Sequence, residues 1–292
     1  MPNEELWYLL IEGEHNAETG CVGNFYTYGA HLGDALEKTF HAAVDFQFAN
    51  PNLLEASLLD SFEVIGNNDE LVLIATGVYM RPTTYSFPLN DPDKDFIPPT
   101  GIVKSVIEGE YAYEQIKENF VAYSADENGI FELELVLTKA HLVDTFMKAI
   151  DSLPSVDGFW LYLKNYWEND FTELWSAKHF TTKKQVIAFL NTHTKNTLEN
   201  GYLDIVVHSL TGETNLTLND HKKIQLHTKD EALFNGFIEK IMEMGYEQTT
   251  DFYNLEFGYH HYHYRPGSSL SRLAFKEMLA DNKFELIEKW EE

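Results

Sequence analysis

One cysteine, Cys21, is all the thiol this chain has. A lone Cys closes no internal disulfide and makes no Cys-x-x-Cys site, so a reducing cytoplasm is the expected compartment. Its neighbours Gly20, Val22 and Gly23 suit a packed loop thiol, not the basic, partly exposed setting that activates a nucleophile. Long apolar runs are missing too. No stretch approaches the roughly 20 apolar residues of a membrane span, and the opening Met-Pro-Asn-Glu-Glu lacks the basic start and apolar core of a secretory signal. No membrane association is expected.

Positive charge is the third scarcity: 21 Lys and Arg stand against 47 Asp and Glu, a formal net charge of −26. The deficit is uneven. Residues 1–154 carry 26 acidic and 7 basic side chains, net −19, and residues 155–292 carry 21 and 14, net −7. Such a surface repels phosphate, which argues against nucleic acid and anionic lipid, and it attracts basic proteins through a salt-sensitive field.

Familiar catalytic and nucleotide motifs are likewise missing. There is no Gly-x-Ser-x-Gly, Ser-x-x-Lys, His-Glu-x-x-His or Gly-Lys-Ser/Thr. Gly20, Gly23, Gly29 and Gly33 do not spell a dinucleotide fingerprint, and Asp34 in the following helix would oppose a phosphate. No catalytic residue is nominated, and no cofactor beyond a candidate divalent metal.

What the chain has is aromatic mass, with 20 Phe, 16 Tyr and 5 Trp, enough to pack ordered cores despite the charge. An apolar run over 5–13 reads as a buried strand, and 3-to-4 spacing of Leu32, Leu36, Phe40, Ala43 and Phe46 reads as a helix. A short helix is expected over 52–59 after Pro51. Strands at 62–65 and 70–80 flank a Gly-Asn-Asn-Asp turn, and five prolines make 81–100 a long loop or a binding element. Further strands are expected at 119–123, 130–137, 159–167, 173–179, 202–209, 214–218 and 222–227, with helices at 139–152, 183–196 and 229–244. Each of these helices follows a Thr placed to cap it. Hairpins interleaved with single helices define an α+β class of two domains, 1–154 and 155–292, each a mostly antiparallel sheet with helices packed on one face.

The densest chemistry lies in Phe-Gly-Tyr-His-His-Tyr-His-Tyr-Arg-Pro-Gly at 257–267. On a strand, Tyr259, His261, His263 and Arg265 share one face. Same-face neighbours sit about 7 Å apart, so His261 and His263 can hold one divalent ion if a third ligand comes from another element. Arg265 on that face opposes a dication. The plainer reading is that Tyr and His simply cover a half-buried strand, apolar body inward and polar tip outward.

Three functions follow as expectations. The first is a non-enzymatic binding or inhibitory protein, immunity-like, presenting its acidic half to a basic protein partner. The second is an enzyme or small-ligand or metal binder built on 259–265. The third is a homo-oligomeric scaffold.

Overall fold

The computed structural model describes residues 4–61, 71–89, 95–104, 115–256 and 261–291. Apolar alternation builds two sheets that are antiparallel almost throughout, and among the described residues five α-helices accompany them, a mixed α+β architecture.

The first sheet grows from a long hairpin, β1 (Glu5–Glu14) and β2 (Thr19–Gly29), paired from Glu5↔Gly29 to Glu14↔Gly20. Outside β1 lies β3 (Ala49–Leu59), and outside β2 lie β5 (Val78–Met80) and then β4 (Val72–Ala75). Residues 52–59 therefore form an edge strand and not a helix. Pro51 is tolerated there because an edge strand has one unpaired side, and two register shifts against β1 break the period-2 signal. The expected strand over 70–80 is instead the hairpin β4–β5, turned at Gly77 with φ +73°. The segment 62–65 and its Gly-Asn-Asn-Asp turn lie outside the described residues. Within the proline-rich stretch, β6 (Tyr85–Pro88) adds to β2.

Helix α1 (Leu32–Asp45) buries Ala35, Thr39, Ala42 and Ala43 on one face of this sheet, against Leu9, Ile11, Phe25, Phe48 and Met80. Cys21 sits in that core on β2, and burial pushes its thiol up to about 11, the inert state expected of it.

The second sheet has nine strands. In sequence they are β8 (Asn119–Tyr123), β9 (Phe131–Val136), β10 (Gly158–Leu163), β11 (Thr172–Ser176), β12 (Leu203–Ser209), β13 (Thr214–Leu218), β14 (Ile224–Thr228), β15 (Glu247–Gln248) and β17 (Glu285–Trp290). Their order across the sheet is β15-β8-β9-β14-β13-β12-β10-β11-β17. A division at 154/155 falls inside this sheet, because β8 and β9 precede it and β9 pairs with β14 after it.

Alternating residues such as Phe159, Leu161 and Leu163, or Leu203, Ile205 and Val207, are wholly buried. They share one core with side chains of α2 (Leu142–Ser152), α3 (Lys183–Thr192), α4 (Glu231–Glu243) and α5 (Arg272–Asp281). Each such side chain contributes about 1.5–3 kcal/mol. The expected Thr caps hold once: Thr182 accepts from Gln185 N at 3.3 Å to start α3. Asp230 caps α4, while Thr138 gives its N–H and hydroxyl to Glu118 and leaves α2 without a side-chain cap.

A short ribbon completes the fold. Strand β7 (Ile102–Lys104) pairs antiparallel with β16 (His261–His263). Tyr264, just beyond β16, packs with Leu10, Val22, Leu54 and Phe87 on the face of the first sheet away from α1. The ring of Tyr262 meets Tyr85 of β6 at 4.5 Å. The other side of β16 faces the second sheet.

Candidate metal centre

The strand rule puts His261 and His263 on one face of β16, and their Nε2 atoms lie 3.2 Å apart. A third imidazole meets them from the second sheet. His221 stands in the turn between β13 and β14, closed by Asn219, whose side chain accepts from Lys223 N at 2.8 Å, and by Lys222 in the left-handed region at φ +60°. The three rings form a nearly equilateral triangle with centroids 4.8, 4.9 and 4.9 Å apart, each pair steeply inclined. One nitrogen from each lies within 4.8 Å of the others, and all three residues are half-buried.

The outer partners decide which nitrogen each ring offers. His263 Nδ1 is 2.7 Å from the carbonyl oxygen of Gly201, which only accepts, so Nδ1 carries the proton and Nε2 keeps its lone pair. Burial pushes the acid dissociation of His263 down to about 3, which leaves the ring neutral near pH 7. His221 Nδ1 is 2.7 Å from Asp220 Oδ1. An ionised carboxylate also only accepts, so the Nδ1 of His221 carries the proton of that bond.

Asp220 is held for that task. Burial would raise its pKa, yet the hydrogen bond from His221, the charge of Lys164 and the hydrogen bond from Tyr166 hold it well below the usual carboxylate range. The Tyr166 hydroxyl donates to its Oδ2, and the Tyr166 ring lies 5.1 Å from that of His263. Lys164 Nζ is 2.7 Å from Asp204 and 3.6 Å from Asp220, and Asp220 N donates to Asp204 Oδ1 at 2.8 Å. The carbonyl of Gly201 is positioned by a close crossing of backbones. A Cβ on Gly201 would come within 2.0 Å of Gly101 O, and Gly101 itself adopts φ +103°.

Two chemistries fit a 3.2 Å Nε2–Nε2 distance: an N–H···N hydrogen bond, and two donors to one ion. Tetrahedral zinc with Zn–N near 2.05 Å places its donors about 3.3 Å apart. A hydrogen bond between two rings joins only His261 and His263, whereas one ion would engage all three. Three convergent imidazoles, two with Nδ1 engaged by a carboxylate and a carbonyl, could hold a metal ion. His221 has to approach by about 1.5 Å to complete tetrahedral spacing.

Of the residues singled out by sequence, His261 and His263 come together in this cluster, and Tyr259 lies outside the described residues. Arg265 leaves it. The strand ends at His263, so alternation no longer governs two residues on, and the Arg265 guanidinium turns to the first sheet. Its Nη2 donates to Ala56 O at 2.6 Å and Ser57 Oγ at 2.8 Å, and its Nε lies 3.6 Å from Glu55 Oε1. The sequence objection that Arg265 repels a dication is thereby removed.

Around Glu55 a second polar cluster forms. Glu55 Oε2 accepts from Arg265 N at 3.2 Å and meets the Tyr202 hydroxyl at 3.0 Å, and that hydroxyl also lies 3.0 Å from the carbonyl oxygen of His263. A phenol has one proton to give, so both contacts are satisfied when Glu55 holds a proton of its own. Burial indeed pushes Glu55 up to about 7 against the charge of Arg265.

Sequence reasoning missed His221 and Asp220. Their only signal is an Asp-His pair in a polar turn between two strands, some forty residues upstream of β16. A cavity of about 630 Å³ borders the opposite side of the ribbon, lined by Leu53, Phe87, Val103 and Tyr264 and by none of the three histidines. No protein family, curated protein or solved structure matches this chain.

Proposed function

We propose that the protein binds one divalent transition-metal ion through the Nε2 atoms of His221, His261 and His263. The observation that carries this reading is the convergence of three imidazoles, two with Nδ1 engaged by outer partners. Nitrogen donors suit zinc, copper, nickel or iron, whereas magnesium and calcium require oxygen cages. Three protein ligands on an ion that takes four or more leave a position for water or a small ligand, as hydrolytic zinc centres do. Such an ion brings its water to a pKa near 7, and hydrolysis or hydration is the reaction class this supports.

Isothermal titration of metal-depleted full-length chain with Zn²⁺ tests the reading. One ion per chain is expected, with affinity lost in His221→Ala and His263→Ala. Sub-stoichiometric binding, or binding indifferent to both substitutions, overturns it.

The acidic half supports a separate proposal of a basic protein partner, resting on the net charge of −19 over residues 1–154. Co-purification at low and then raised salt tests it. A partner retained equally at both would remove the electrostatic argument, and no partner at either would remove the proposal.

A further inference from the structure

The described residues of β16 and the two that follow touch both sheets. His261 and His263 point to His221 in the β13–β14 turn. Tyr264, one residue on, is buried against Leu10, Val22 and Leu54 of the first sheet. Arg265, next in line, binds three consecutive positions of β3: its N–H goes to the Glu55 carboxylate, and its guanidinium goes to Ala56 O and Ser57 Oγ. The Tyr202 hydroxyl, from the second sheet's side, lies 3.0 Å from both Glu55 Oε2 and the backbone carbonyl of His263. One residue thus offers an imidazole to the metal cluster and its carbonyl to the joint between the sheets.

We infer that the ion proposed above, a reading on which this inference rests, also locks the joint between the two sheets, so that metal occupancy controls how firmly β3 is held. Three ring nitrogens spread over as much as 4.8 Å must draw together to share an ion, and the contraction acts on both anchors of the cluster. One anchor is the β13–β14 turn, set within the second sheet. The other is β16, which among the described residues pairs with β7 outside both large sheets. The contraction draws the ribbon and the second sheet together. Fixing His263 fixes its carbonyl, the Tyr202 hydroxyl bound there, and Glu55 beyond it, while fixing the chain at 263 restrains the Arg265 backbone N–H two residues later. Linkage makes the effect reciprocal: a ligand that stabilises the joined state binds more tightly when the joint is intact. The chain is then a metal-responsive coupler, with zinc the ion of the test and the hold on β3 the output.

Hydrogen exchange read by mass spectrometry on the metal-depleted full-length chain, with and without saturating Zn²⁺, tests this. Peptides covering 49–59 are expected to exchange about tenfold more slowly with zinc, while peptides from 142–152 in α2 are unchanged. Tyr202→Phe keeps the ring that stacks on Trp167 at 5.7 Å and removes only the hydroxyl that joins Glu55 to His263. In this variant zinc is expected to bind with unchanged stoichiometry and to slow 49–59 by less than threefold. Zinc binding without any slowing of 49–59 in the natural chain overturns the coupling and leaves the metal centre standing, as does full slowing in Tyr202→Phe. Failure of zinc to bind at all overturns both. Equal slowing in 49–59 and 142–152 reports general stabilisation and likewise overturns the coupling.

Discussion

Two polar clusters, one buried and one half-buried, lie within a few residues of each other along one segment, and they are built on opposite principles. Around Glu55, unlike groups meet: Arg265 faces the carboxylate and donates to three backbone or hydroxyl acceptors, and Tyr202 bridges to the next chain segment. Around His263, like meets like, with three imidazoles edge to edge and Nδ1 of two of them engaged by partners behind. The first arrangement pairs opposite charges and joins the two sheets. The second gathers donors of one kind, and a cation is what such a gathering suits. Comparing what each cluster faces separates a structural joint from a candidate site more reliably than counting polar residues.

The comparison breaks most readily at the joint. Arg265→Ala removes the cation from a buried carboxylate and a donor from three acceptors, Ala56 O, Ser57 Oγ and Ser269 O, and is expected to cost about 3–5 kcal/mol in urea unfolding. The loss should shrink below pH 7, where Glu55 can take up a proton. A cost under about 1 kcal/mol would mean that the joint contributes little to the fold.

Glu55 itself sets a pH dependence whose sign is fixed. Its folded pKa, about 7, exceeds its ordinary 4.5, so the folded chain binds the extra proton between these values. Stability from this group is fully present below pH 4.5 and is lost as pH rises through 7, by about 3 kcal/mol. Glu55→Gln, neutral at every pH, should abolish that slope in denaturation midpoints measured from pH 4.5 to 8. An unchanged slope would assign it to other groups.

At the histidines, smaller effects are expected and they should appear in metal affinity. Asp220→Asn keeps the shape but exchanges the acceptor that orients His221, and a 10–100-fold loss of Zn²⁺ affinity is expected by titration. Tyr166→Phe deletes one donor to Asp220 and should cost less, about tenfold or under. If Asp220→Asn binds zinc as tightly as the natural chain, the outer partner is not orienting the ring.

Much of this architecture is legible from residues alone. Strands β13 and β14 of the second sheet alternate cleanly, and the Asp-Glu-Asn-Gly turn at 126–129 forms the β8–β9 hairpin, with Asp126 accepting from Asn128 N and Ile130 N. Strand β3 misleads because register shifts against β1 put Leu54, Glu55 and Ala56 all in the interior, a pattern with neither helical nor strand period. Helix α5 and strand β17 gave no comparable signal: α5 buries an arginine, Arg272, in its inward stripe, and β17 exposes the adjacent Leu286 and Ile287. At the site, His261 and His263 declare themselves by spacing on one strand. His221 does not, because nothing local in a β-turn records which distant strand will cross it. Arg265 was misplaced for a simpler reason, since alternation was carried past the end of the strand.

The most direct test of the metal centre is X-ray absorption spectroscopy at the zinc edge on the full-length chain loaded with one equivalent of Zn²⁺. The account predicts about three nitrogen scatterers near 2.0–2.1 Å with the outer-shell pattern of imidazole, and a remaining oxygen from water. A shell of oxygen alone, or of fewer than two imidazoles, would contradict it.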